Sequence, residues 1–390
     1  MPMRLDVRAA LPVDGTAGTL VGRAWRPDVD GPAIVAIRAD GVQDISRAFP
    51  TMRDLAEAAD PARAAAAAGE RIGELSALLA NTPEETRDPA KPWLLAPIDL
   101  QAIKAAGVTF AISLLERVIE EQARGAPEKA AAVRAEVEGA LGGAIDGLKP
   151  GSAQAADLKR LLQAKGLWSQ YLEVGIGPDA EIFTKAPPMA AVGTGAAIGI
   201  LPQSTWNNPE PEIVLVVNST GAIVGATLGN DVNLRDLEGR SALLLGKSKD
   251  NNASTAIGPF VRLFDDTFSL DDVRRAEVRL SVEGRDGFRL EGTSAMARIS
   301  RDPADLVGQM IGPHHHYPDG AVLFLGTMFA PVQDRDAPGQ GFTHHAGDVV
   351  TIAAEKLGAL VNVVTTCDQA PPWRFGTAAL MRNLARRGLI

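Results

Sequence analysis

A single cysteine, Cys367, stands in 390 residues, so no intrachain disulfide can form, and the chain fits a reducing compartment without requiring one. Positive charge is also short: 39 Lys and Arg against 48 Asp and Glu give a formal net charge of −9. That balance argues against nucleic acid or an anionic membrane surface as the main partner. A small acidic substrate would need local cations or a metal. No apolar run approaches the length of a membrane span, and Met1 to Arg8 lacks the apolar core of a secretory signal. A cytoplasmic location is the expectation, with no membrane and no nucleic acid as partners. No internal repeat is visible. What is present is an ordinary globular composition, 46% apolar and 22% charged, on a chain long enough for two or three domains.

The first fifty residues read as β, with strands at Thr19–Trp25 and Ala33–Arg38 and a hairpin turn at Asp40-Gly41. A helical section follows. Asp60-Pro61 supplies an N-cap and first helical position for an alanine-rich helix expected to run to about Ala80. Asn81 to Pro92 is a loop. Pro97 to Phe110 leads into a helix carrying Glu116, Arg117, Glu120 and Glu121. Glu116 and Glu120 share one helical face, which by spacing alone reads as a solvated acidic face. Further helices are expected over Pro127–Leu141 and about Ala155–Lys165, with a Gly- and Pro-containing stretch, Gly142 to Gly151, between them. From Tyr171 the texture changes to short apolar strands divided by Gly, Pro and Asn. The division is therefore placed at residues 1–170 and 171–390.

In the second half, Pro209-Glu210-Pro211-Glu212 opens an apolar strand. Residues two apart on a strand share a face, so Glu210 and Glu212 lie side by side. Asn218 to Gly221 is a turn, and counting back in antiparallel register from it places Asp231 roughly level with Glu210. Three carboxylates without a soft ligand suit Mg²⁺ or another hard divalent ion, Mn²⁺ included. The alternative is an acidic strand end facing solvent. All five histidines lie between His314 and His345. Adjacent histidines point apart, no cysteine accompanies them, and Tyr317-Pro318-Asp319-Gly320 makes a loop, so oxygen ligands are preferred to a histidine site. Gly193-Thr194-Gly195 lacks the spacing of a nucleotide loop and reads as a turn. Glu277–Glu283 alternates strictly and, with Arg285-Asp286-Gly287 as turn, forms a second hairpin; Asp302-Pro303 caps a short helix.

Glu-x-Glu on an apolar strand, Gly229-Asn230-Asp231-Val232-Asn233-Leu234-Arg235-Asp236, and Lys249 ahead of Ser254 and Gly258-Pro259-Phe260 together resemble the fumarylacetoacetate hydrolase superfamily over most of residues 171 to 365. The resemblance implies an α+β fold: an N-terminal α/β domain and a C-terminal catalytic domain built as a mixed β-sandwich roll. It also implies that Glu210, Glu212 and Asp231 hold the metal and that Lys249, rather than Lys247, assists at an enolate. Family hydrolases carry a Gly-x-Asn-Tyr-x-x-His-x-x-Glu segment in which His and Glu activate water. Here Gly107 to Glu116 corresponds, with Ser113 in the histidine place, and a serine cannot serve as that base unaided. The segments around Pro97 to Phe110, Glu181 to Ala186 and Pro209 to Glu212 are instead similar to the branch that dehydrates 2-keto-3-deoxy sugar acids. That branch implies Glu181 as a catalytic residue; the chemistry would use it as the C3 base by preference, with Glu116 or Glu120 as a second acid or base, and Thr109, Phe110, Arg235 and Thr327 are candidate substrate contacts. Arg235 has an alternative role as a buried partner of Asp236, and Thr327 as a strand-end hydrogen bond. The implied reaction is loss of water from a 2-keto-3-deoxy pentonate, such as 2-keto-3-deoxy-D-xylonate, to give 2-ketoglutarate semialdehyde, in a homodimer or homotetramer. The rival readings are a carbon–carbon hydrolase or oxaloacetate decarboxylase, which would need a histidine such as His314 or His344 at the metal, and a silent keto-acid binding protein.

Overall fold

The computed structural model describes residues 3–141, 145, 147–164, 166, 168–327, 329 and 331–390. Met1, Pro2, residues 142–144, Asp146 and Lys165, which figure in the sequence expectations, lie outside that set. The chain is α+β. Its larger sheet has eleven strands, ordered Glu70–Gly73, Gly41–Asp44, Gly31–Arg38, Leu20–Arg26, Thr255–Leu263, Ile223–Asp231, Pro211–Val217, Ala321–Phe324, Ala102–Gly107 and Glu181–Ala186, with Trp93–Leu95 also pairing Leu20–Arg26. A five-stranded sheet runs Arg289–Ala295, Glu277–Glu283, Val349–Ala354, Gly358–Thr366 and Ala197–Ile200. The large sheet crosses the boundary drawn at residue 170: Leu20 and Val21 pair with Arg262 and Val261, and residues 102–105 run parallel to Ala321–Phe324.

Every residue of the strand Pro211–Val217 is buried, because both faces are covered. Ile213, Leu215 and Val217 pack between the two sheets with Val278, Leu280, Leu323 and Ile352. Val214 and Val216 pack on the other side with Ile34, Met52, Ile103, Val261 and Phe324. A strand covered on both faces reads as a continuous apolar run rather than an alternation, and each such side chain contributes roughly 1.5–3 kcal/mol by leaving water. This rigid strand carries Glu212 and places Glu210 at its mouth.

Between the neighbouring strands Ala102–Gly107 and Glu181–Ala186 the chain makes a helical excursion, comprising Ala111–Gln122, Pro127–Leu141, Ala153–Ala164 and Gln170–Ile176. Leu114, Val118, Ile119, Ala130, Leu162 and Leu172 bind these helices together, and Trp206 from the strand-rich half joins them. Ser169 caps the last of them.

The expected alanine-rich helix is not continuous. Asp60 and Pro61 do open a helix, but it stops at Ala64. Glu70–Gly73 then joins the large sheet beside Gly41–Asp44 before a new helix, Leu75–Asn81. Gly69 explains the break: a β-carbon there would meet the Asp44 carbonyl oxygen at 2.9 Å, so only glycine allows that approach. Helix propensity of the alanines yields to pairing at the sheet edge. The hairpins and the Asp302-capped helix Pro303–Met310 occur as expected.

Candidate active site

Asp231 donates its backbone N–H to the Glu210 carbonyl at 3.1 Å, and Glu212 sits opposite Gly229. The register read from the turn is therefore the register found, and Glu210, Glu212 and Asp231 each offer an oxygen within 4.8 Å of the others. All three are buried, at 5%, 3% and 2% exposure, which removes the solvent-facing alternative. Among the described residues this is the one cluster of potential metal ligands. His314, His315 and His316 are exposed. His344 is buried against Asp348, its Nδ1 at 3.3 Å from Oδ2, and outside the carboxylate cavity.

Lys249 closes the cluster, with Nζ 2.6 Å from Glu210 Oε2, 3.1 Å from Asp231 Oδ2 and 3.5 Å from Glu238. Burial favours its neutral form, but Asp231, Glu210 and Glu238 outweigh burial and keep the ammonium charged. Lys247 lies elsewhere, beside Arg240 and Asp236. Three residues that the sequence reading did not place in the site complete the shell. Lys185 is fully buried, 3.2 Å from Asp231 Oδ1, and donates to the Lys249 carbonyl. Arg117 donates to Glu210 Oε1 at 2.6 Å and to Glu120 at 2.6 Å, and lies 2.5 Å from Glu238. Lys185 could have been found from the segment Phe183-Thr184-Lys185. Arg117 and Glu238 could not, because they meet from helices far apart in the chain, Ala111–Gln122 and Arg235–Glu238.

The cavity is lined by Gly107, Val108, Ser113, Arg117, Tyr171, Glu181, Glu210, Glu212, Asp231, Glu238, Lys249, Gly326 and Thr327, among others. Its free volume of about 30 Å³ holds an ion or a couple of waters rather than a five-carbon acid. Five carboxylates line it, and the cations in contact with them are Lys249, Arg117 and Lys185. Two formal negative charges remain, the charge of one divalent ion. Glu212 shows where they fall. Burial, followed by Asp231 and Glu210, raises its carboxyl well above the usual range, against the weaker opposing pull of the Gly326 N–H, 2.6 Å from Oε2, and of Lys249. Asp231 is held below its usual range because Lys249 and Lys185 overcome the burial that would raise it. An all-oxygen, buried, excess-negative site fits a hard divalent cation.

Glu181 is the other cavity carboxylate without a cation partner among the described residues. It opens the strand Glu181–Ala186 opposite Gly107, and burial, then Glu238, raises its carboxyl to about 7. A β-carbon on Gly107 would collide with the Glu181 carboxylate. The next residue, Val108, has φ 46°, a left-handed conformation costing a β-branched residue roughly 1–3 kcal/mol. This strained turn leads the chain from the strand into the Ala111–Gln122 helix. The space over Gly107 yields an expectation: Gly107→Ala should leave the fold and metal affinity intact while lowering kcat at least about ten-fold, by shifting the Glu181 carboxylate about 1 Å. Steady-state kinetics beside metal titration checks it; an unchanged kcat would contradict this placement of Glu181.

Several expected contacts lie behind the wall of this cavity rather than on it. Glu116 and Glu120 are not solvated, with 5% and 2% exposure. Glu116 is held by Arg134 and by Arg235 at 2.8 Å, and Glu120 by Arg117 and by Arg235 at 2.6 Å. Arg235 therefore pairs with these two glutamates and the Pro331 carbonyl, stacks 4.7 Å from the Trp206 ring, and does not bind Asp236, which instead accepts from Ser204 and Thr205. Thr109 donates to the Leu325 carbonyl at 2.7 Å, and Phe110 is a core residue between the sheets. Of the four expected substrate contacts, Thr327 alone lines the cavity, with Oγ1 accepting the Phe329 N–H at 3.1 Å.

A family model described as fumarylacetoacetate (FAA) hydrolase C-terminal matches residues 169–365. The chain is 30% identical over 315 residues to a probable 2-keto-3-deoxyxylonate dehydratase of Haloferax volcanii, a match covering 80% of this chain and 89% of that one. It is 33% identical over 187 residues to a 2-dehydro-3-deoxy-D-arabinonate dehydratase of Saccharolobus solfataricus, covering 47% of this chain and 58% of that one. The fold is similar to a solved 2-keto-3-deoxy-D-arabinonate dehydratase complexed with magnesium and 2,5-dioxopentanoate, with TM-score 0.61 and 21% identity over 89% of this chain and 99% of that one. Sequence match, carboxylate register and fold agree, and the chain belongs to the fumarylacetoacetate hydrolase family.

Proposed function

We propose that this protein is a metal-dependent hydro-lyase that removes water from a 2-keto-3-deoxy pentonate, with 2-keto-3-deoxy-D-xylonate as the first candidate, to give 2-ketoglutarate semialdehyde, which is 2,5-dioxopentanoate. The observation that carries the reading is Glu181, a carboxyl with no ion pair among the described residues and raised to about 7, in the same cavity as the acidic triad. The curated relatives named for this chemistry support the substrate class.

Glu210, Glu212 and Asp231 are the residues that would hold Mg²⁺ or Mn²⁺. Bound there, a divalent ion supplies Lewis acidity to the 2-keto and carboxylate oxygens of the substrate, which lowers the pKa at C3. The chain's own groups do the proton chemistry. Glu181, ionised, takes a proton from C3. Lys249, charged and buried, offsets the negative charge that grows on the substrate oxygens. The C4 hydroxyl leaves with a proton as water, and protonated Glu181 is the cavity acid able to supply it, since Glu238 is held by Arg117 and Lys249. The unsaturated product then loses one proton from C5 and the proton of its C5 hydroxyl and gains one at C3 and one at C4, becoming the aldehyde. A carboxyl whose pKa lies near the working pH can give and take these protons in turn.

A hydrolase or decarboxylase is disfavoured by the cavity lining. Ser113 faces it, but its hydroxyl donates to the Phe110 carbonyl at 3.0 Å, and no histidine is among the described lining residues. The reading is tested by an ultraviolet and aldehyde assay across 2-keto-3-deoxy pentonates and hexonates, with and without chelator. Turnover of a pentonate that ceases on chelation is expected; turnover of oxaloacetate or a 2,4-diketo acid instead would replace the assignment.

A further inference from the structure

Both oxygens of Glu210 are already engaged by protein cations, Oε1 by Arg117 and Oε2 by Lys249, each at 2.6 Å. Lys249 is shared with Asp231 and belongs to the strand-rich half. Arg117 comes from the helical excursion, on the helix Ala111–Gln122, and its remaining partners, Glu120 and Glu238, are buried as well. A ligand oxygen that accepts a charged N–H at this distance has given up much of its capacity for a second cation.

We propose that Arg117 competes with the divalent ion for Glu210: its guanidinium holds Oε1 when the metal is away and must release or share that oxygen when the metal arrives. Arg117 is thus a positioning residue that sets metal affinity and ties the helix Ala111–Gln122 to occupancy of the site. The size of the cavity agrees, since a five-carbon acid needs more than the free volume present, and Arg117, Ser113 and Tyr171 come to its wall from the helical excursion. The proposal rests on the triad being the metal site, and the test separates the two.

The experiment is calorimetric titration of Mn²⁺ into the chelator-stripped full-length protein. Removing a positive charge this close to a divalent ion, and freeing Glu210, should tighten binding at least about ten-fold in Arg117→Gln, while Arg117→Lys, which keeps the charge but loses the planar fork, should fall between it and the wild type. Arg117→Gln with equal or weaker affinity would overturn the proposal. Glu212→Ala serves as the separate control: if it binds Mn²⁺ as the wild type does, the triad reading fails and the proposal falls with it. If Glu212→Ala loses binding, the triad stands and the Arg117→Gln result decides. Should Arg117→Gln not fold, hydrogen exchange on the wild-type protein decides instead. Amides of residues 111–122 should exchange faster with saturating Mn²⁺ than with chelator, and equal or slower exchange would overturn the proposal.

Discussion

Glu181→Gln is expected to lower kcat by roughly 10²–10⁴-fold, the span that a positioned general base contributes, with metal affinity unchanged and product binding retained. The substitution keeps the shape of the side chain over Gly107 and removes only the proton exchange. It adds no metal effect, because Glu181 is not among the three triad ligands. The same residue fixes the sign of the pH dependence. Burial and Glu238 hold its carboxyl above the ordinary 4.5, at about 7 without a metal, and a divalent cation in the same cavity lowers it from there. The base works when ionised, so kcat/KM should rise with pH through an apparent pKa between those two values, and the limb should vanish in Glu181→Gln. A variant with near-normal kcat would remove Glu181 from the mechanism.

The second large effect is at Glu212. Glu212→Gln should abolish turnover, by more than about 10²-fold, and should also separate folding from metal binding. In chelator the variant should melt no lower than the wild type, because the substitution relieves a buried carboxyl that forms no ion pair among the described residues and lies beside Asp231 and Glu210. With Mg²⁺ at about one hundred times its Kd the wild type should gain roughly 2.7 kcal/mol of stability by mass action, and the variant little. Thermal melts with and without the ion read both effects. Equal gains in the two proteins would place the ion elsewhere.

The site was legible in the sequence wherever local geometry set it. The turn at residues 218–221 fixes the hairpin and a count along two strands brings Asp231 to Glu210, while Lys249 rather than Lys247 comes from the family resemblance. Legibility ended where partners are far apart in the chain. Glu116 and Glu120 do share a helical face, yet the face meets Arg235, more than a hundred residues on, so a surface that spacing reads as solvated is buried. Arg117 and Glu238 have the same history: their meeting depends on how the helical excursion packs over the strand ends, and nothing in either local sequence records it. In the fold, the loss was at Glu70–Gly73, where an alanine-rich context reads as helix and only the neighbouring strand Gly41–Asp44 makes it a strand.

The central claim is elimination rather than cleavage, and it is tested most directly by the identity of the product. 2-Keto-3-deoxy-D-xylonate incubated with the Mg²⁺-loaded protein and followed by nuclear magnetic resonance should be converted to 2,5-dioxopentanoate, and the conversion should stop when the ion is chelated. Pyruvate and glycolaldehyde in its place would mean that the C3–C4 bond breaks, and that result would contradict the account.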